Sequence, residues 1–123
     1  MPDDPAPDTL TLRQGQAAVD ATIHALGGYW PPLANLARLF EECGELARAV
    51  NQAYGNKRVK PSESQPAVHE ELGDALYVLL VLANSLDVDA AAALDATLAK
   101  VRARVPASDA PAGDAPASND ANG

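Results

Sequence analysis

Two short acidic runs hold the residues best suited to chemistry: Glu41-Glu42-Cys43-Gly44-Glu45 and Glu70-Glu71-Leu72-Gly73-Asp74. Each contains a pair of acids three residues apart, Glu42 with Glu45 and Glu71 with Asp74. On a helix that spacing places both carboxylates on one side, about one turn apart. If the two helices pack antiparallel, the four carboxylates converge. Such a cluster repels itself and loses hydration unless a cation compensates. An all-oxygen donor set suits Mg²⁺, or Mn²⁺ in its place, and not Zn²⁺. Gly44 and Gly73 stand at the same place in the two runs. Glycine costs about 1 kcal/mol against alanine inside a helix, so the pair predicts close approach of a backbone or ligand. The plain alternative is two solvated helix faces. It suits the first run, whose acids lie away from the Leu39, Leu46 and Val50 stripe. It suits the second less well, because the face of Glu71 and Asp74 continues into Val78 and Val81.

Four helices are expected to position these groups. The first spans about 12–26, with Thr9 or Thr11 as N-cap, an apolar stripe of Leu12, Val19, Ile23 and Leu26, and Gly27-Gly28 as its stop. The second starts at Pro31-Pro32 and runs to about Tyr54. Its expected apolar face is Leu36, Leu39, Phe40, Cys43, Leu46, Ala47 and Val50. A polar loop follows, with a basic first half in Lys57, Arg58 and Lys60. The third helix covers about 66–86, and its second half is apolar on every side, as in a helix buried all round. That predicts a central helix, partly covered by another subunit. The fourth begins after Asp89, an apt N-cap, and ends before Pro106. The fold class is therefore all-α, a four-helix bundle completed by dimerisation, over residues 9–105. Segments 1–8 and 106–123 lack large apolar side chains apart from Met1 and are expected to be disordered.

The formal charge of −8 is misleading taken whole, since those two segments hold six aspartates and no Lys or Arg. An acidic chain does not attract a nucleic-acid backbone by its overall field. The single cysteine, Cys43, excludes an intramolecular disulfide and reads as a small buried packing residue. No basic leader precedes an apolar stretch, and the longest apolar run, 75–83, is too short to span a bilayer. A cytoplasmic protein with no membrane partner is the expectation.

The stretch from Gly28 to Lys60, followed by HEELGDALYVLLVLANSLDVD, resembles the MazG-like nucleotide pyrophosphohydrolases of the all-α NTP pyrophosphatase superfamily. The resemblance covers about 12–105. The superfamily pattern E-E-x-x-E then E-x-x-D is supplied here by Glu41, Glu42 and Glu45, then Glu71 and Asp74. One departure is visible: many relatives carry an Asn shortly before the helix-four Lys, where this chain reads Thr97-Leu98-Ala99-Lys100.

The resemblance implies Mg²⁺-dependent cleavage of a nucleoside triphosphate between the α and β phosphates, giving a monophosphate and pyrophosphate, as in clearing the nucleotide pool. It also implies an oligomer, a homodimer or a dimer of dimers. Glu42, Glu45, Glu71 and Asp74 are then the metal ligands, and Glu41 orients or deprotonates the attacking water. Lys57, Arg58 and Lys60, with Lys100 and Arg104 one turn apart on the fourth helix, are the candidate phosphate-binding groups. Trp30 and Asn84 are candidates for the base, with a packing anchor and an interhelical hydrogen bond as their structural alternatives. Two other readings compete: a phosphoribosyl-ATP pyrophosphatase-like enzyme, and a non-enzymatic helical interaction module with surface acids.

Overall fold

The computed structural model describes residues 9–55 and 67–106. Four helices and no strand occur among them: α1 (Leu12–Ala25), α2 (Pro32–Tyr54), α3 (Val68–Ser85) and α4 (Ala90–Arg104). The segments 1–8 and 107–123, and the loop bearing Lys57, Arg58 and Lys60, lie outside the described residues.

The helix ends follow from local chemistry. Thr11 caps α1 in a reciprocal capping box: its hydroxyl accepts from Gln14 N–H at 3.1 Å, and the Gln14 side chain accepts from Thr11 N–H at 2.9 Å. At the other end Gly27 takes φ 111°, and Gly28 N–H reaches back to the Ile23 carbonyl at 2.9 Å. This is the Schellman pattern, which needs a left-handed residue after the helix. The same device closes α3 without glycine. Asp87 sits at φ 53°, and Val88 N–H donates to the Ala83 carbonyl at 2.9 Å. Aspartate tolerates that conformation better than most side chains. Asp89 then caps α4 by accepting from Ala92 N–H at 3.2 Å, and α4 leaves at 103° to α3.

α3 is the central element. It packs most extensively on α2 and also on α1, while α4 packs chiefly on α1. The core is small: Ala75, Val78, Leu80 and Val81 of α3, Ala49 of α2 and Ile23 of α1, with Val78 and Val81 only 1% exposed. α4 contributes no buried residue. Gln16 and Asn84 tie the opposite end together. The Asn84 amide donates to the Gln16 carbonyl at 3.1 Å, and the Gln16 side chain bonds Val88 and Ala90 of the α3–α4 turn.

The packing corrects the sequence reading of α2. The broad apolar face expected for α2 divides in two. Leu39 and Leu46 turn toward α3 in company with Asn35, Glu42 and Ala49, whereas Leu36, Phe40, Cys43, Ala47 and Val50 remain exposed. Cys43 is thus an exposed thiol, not a buried packing residue. α3 is central, as expected, and in a single chain its Leu72, Leu76 and Leu79 are about half exposed. The reason is geometric: α1 and α2 alone pack extensively on α3, because α4 turns away.

Candidate active site and metal centre

Glu42 lies on the same side of α2 as Asn35, Leu39, Leu46 and Ala49, so the packing that buries that stripe carries its carboxylate to the α2–α3 seam. The first acidic run is therefore not a purely solvated face, contrary to the apolar stripe read from sequence. Glu71 and Asp74 come from the first two turns of α3, one turn apart. Glu42, Glu71 and Asp74 each offer a carboxylate oxygen, and these oxygens all lie within 4.8 Å of one another. Glu42 and Glu71 are half-buried, and Asp74 is exposed.

The electrostatics agree with the geometry. The Glu71 carboxyl is pushed above its ordinary value of 4.5, first by partial desolvation, then by the charges of Asp74, Glu45 and Glu42, with Glu70 last. Glu45 therefore acts on Glu71 through its charge, although it stands outside the close triad. Glu41 is exposed, next to Glu42 in the chain. Three carboxylates held this close favour the protonated form of one member unless a cation neutralises them. Their oxygen-only chemistry fits a hard divalent cation and offers no soft ligand.

The glycines do not mark a close approach within the chain. A Cβ built on Gly44 or on Gly73 meets nothing within 4 Å. Gly73 instead borders an open apolar groove between α1 and α3, lined also by Gly15, Val19, Leu76 and Tyr77.

The remaining candidates distribute unevenly. Lys100 and Arg104 are exposed on α4, which packs chiefly on α1, and neither is among the groups clustered with the triad. Trp30 and Asn84 do not share a site. Trp30 borders a cavity with Asn35, Arg38 and Tyr77, whereas Asn84 lines a separate polar depression with Arg13, Asp20 and Asp89. Asn84 has its structural alternative, the bond to Gln16. Asn35 and Tyr77 were not singled out from sequence. The signal was available for Asn35, a polar residue on a face otherwise facing the core, 1% exposed in the structure.

Comparison with known proteins identifies the family. Residues 31–108 match the MazG nucleotide pyrophosphohydrolase domain. The chain is 47% identical over 95 residues to YpjD of Bacillus subtilis (strain 168), a protein described as uncharacterized, covering 76% of this chain and 86% of YpjD. The crystal structure of YPJD from Bacillus subtilis superposes with a TM-score of 0.68 at 47% identity, over 76% of this chain and 96% of the other. A Bacillus-conserved MazG protein, a nucleotide pyrophosphohydrolase, gives a TM-score of 0.66 at 42% identity, over 76% and 92%. The chain belongs to the MazG nucleotide pyrophosphohydrolase family. It is an all-α hydrolase of the nucleotide pyrophosphatase class, and the reading as a non-enzymatic helical module falls away.

Proposed function

We propose that this protein hydrolyses a nucleoside triphosphate, (d)NTP, to the monophosphate and pyrophosphate, with Mg²⁺ bound by Glu42, Glu71 and Asp74 and with Glu45 as a further ligand. The observation that carries the reading is the convergence of three carboxylate oxygens within 4.8 Å from two helices. A bound divalent cation supplies charge neutralisation for the phosphates and acidifies the attacking water. The chain's own groups do the rest. Glu71 and Asp74 sit on one rigid helix and Glu42 on its packed neighbour, so the ligand geometry is fixed before substrate arrives. Glu41, adjacent to the triad in sequence, orients the water and takes its proton. Lys57, Arg58 and Lys60, which lie between the two carboxylate helices in sequence, hold phosphate oxygens, and Lys100 and Arg104 of α4 add further positive charge. The test is product analysis: a (d)NTP incubated with Mg²⁺ yields monophosphate and pyrophosphate, and diphosphate with orthophosphate would overturn the cleavage site. A phosphoribosyl-ATP-like activity would run the same chemistry and is separated by substrate choice alone.

The functional unit is proposed to be a homodimer or a dimer of dimers. Leu33, Leu36, Phe40, Cys43, Ala47, Val50 and Tyr54 recur along α2 at alternating steps of three and four, the spacing of a helix–helix seam, and all are exposed in one chain. Leu33 is 80% exposed, Phe40 70% and Tyr54 83%. On α3, Leu72, Leu76, Leu79 and Leu86 continue the pattern. Monomeric soluble proteins rarely leave apolar stripes of this length in water. A second copy offers the same stripes in self-complementary form.

A further inference from the structure

α4 meets its own chain only lightly. It has 15 residues, none of them buried, and only Ala90 and Ala91 in its first turn are half-covered. A helix of that length is marginal in water on its own propensity. Its apolar positions nonetheless form one row. Leu94, Leu98, Val101 and Val105 follow at steps of four, three and four, and all remain exposed. That period is the seam of a helix pair.

α3 offers a matching surface. Leu72, Leu76, Leu79, Ala83 and Leu86 step by four, three, four and three along the side turned away from Val78 and Val81. The four leucines are between 47% and 56% exposed. The row edges two open apolar grooves, one against α1 and one beside the α3–α4 turn. α4 of the same chain does not lie along it, since it leaves α3 at 103°. The segments outside the described residues supply no cover of this kind either. Residues 1–8, 56–66 and 107–123 contain Met1 and Val59 as their only large apolar side chains.

The two rows agree in length and period. Laid antiparallel, Leu72 meets Val105, Leu76 meets Val101, Leu79 meets Leu98 and Ala83 meets Leu94. A parallel arrangement also keeps the rows in step, with Leu72 against Leu94. Charge chooses between them. α3 starts with Glu70, Glu71 and Asp74 and carries no charge from 75 to 86. α4 carries its cations at its end, in Lys100, Arg102 and Arg104. Antiparallel packing sets that basic end against the acidic start, with Lys100 and Arg104 on the flank that faces Glu71. Opposed helix dipoles favour the same direction. Parallel packing sets the basic end against an uncharged stretch.

We propose that α4 is an exchanged arm. It lies antiparallel along α3 of a second copy, and a two-fold axis returns the partner's arm to α3 of the first. The proposal rests on the self-association read from α2 and goes beyond it, naming what covers α3 and where α4 lodges. The α2 stripes hold the two copies together, and the arms then dock at high effective concentration.

Disulfide trapping in the full chain tests both the surface and its direction. Cys43→Ser removes the only native thiol. In that background Leu72→Cys with Val105→Cys is compared with Leu72→Cys with Leu94→Cys, under a mild oxidant. All three positions are exposed in one chain, so the fold of the protomer does not depend on them. The antiparallel arm predicts covalent dimer from the Val105 pair and none above background from the Leu94 pair, on a denaturing gel without reductant. A second measurement needs no introduced cysteine. Hydrogen exchange over residues 94–105 should be slower in the parent than in the monomeric Phe40→Glu, Val50→Glu variant, by about tenfold or more. Trapping through the Leu94 pair instead overturns the proposed direction. A parent that is dimeric by light scattering, yet traps neither pair or exchanges α4 as fast as the monomer, overturns the arm and leaves the α2 seam standing. A monomeric parent overturns both.

Discussion

Glu42 of α2 and Asp74 of α3 bring carboxylate oxygens within 4.8 Å of one another across the interhelical seam, with a Glu71 oxygen inside the same limit of both. Neither helix alone could place three like charges so near. The packing of Ala49, Val78 and Val81 behind them holds the arrangement, and the repulsion among them calls for a compensating cation.

Hydrolysis of a (d)NTP is therefore expected to stop in excess chelator and to return with Mg²⁺ or Mn²⁺. Asp74→Asn, which keeps volume and removes a ligand charge, should lower turnover by on the order of 100-fold or more without unfolding the chain. Lys57→Ala should act more gently, raising KM more than it lowers kcat. Pyrophosphate release with chromatography of the products measures all three. Undiminished turnover in chelator would remove the metal site.

The raised pKa of Glu71, from desolvation and from Asp74, Glu45 and Glu42, gives a pH dependence with a definite sign. Protons compete with the cation, so apparent Mg²⁺ affinity should fall as pH drops through a value above the ordinary 4.5. Without metal the linkage runs the other way. A carboxyl raised on folding stabilises the folded state below its unfolded pKa, and that contribution is lost as pH rises through the folded one. In chelator, thermal stability attributable to Glu71 should thus decline from mildly acidic to neutral pH, and Mg²⁺ should restore it. Melting curves across pH for the parent chain and Glu71→Gln test this: the substitution should flatten the difference.

The exposed α2 stripe predicts self-association. Phe40→Glu together with Val50→Glu places charge at the centre of the stripe, away from Glu42 and Ala49. Light scattering should give at least a dimer mass for the parent and a monomer mass for the double variant. A monomeric parent at micromolar concentration would contradict the proposed assembly.

The core is small, so single deletions in it should be felt strongly. Val81→Ala, at a site 1% exposed, should cost about 1.5–3 kcal/mol through lost burial and the cavity left behind. Thr11→Ala, which removes one half of the α1 capping box, should cost about 1 kcal/mol. Denaturant titration of each variant at fixed protein concentration measures these values. Fixed concentration matters, because association contributes to apparent stability.

The four helices and most of their ends were legible in the sequence because each signal is local. Thr9 or Thr11 ahead of an apolar stripe, Gly27-Gly28 after it, paired prolines opening α2 and Asp89 before an alanine run all act within one or two turns. The acidic pairs were legible for the same reason, since a spacing of three on a helix fixes a shared side. Which side faced what was not local. The apolar positions of α2 form a band wide enough to serve two partners, and only the docking of α3 decided that Leu39, Leu46 and Glu42 turn inward while Phe40 and Val50 stay in water. The same docking drew Glu42, Glu71 and Asp74 together, left Glu45 to act at longer range, and set Asn35 beside Tyr77. It also left open space beside Gly44 and Gly73, where their matched places in the two acidic runs had suggested contact. Helix periodicity states which residues travel together; the partner helix determines where they arrive, because burial is a property of the pair of surfaces and not of either one.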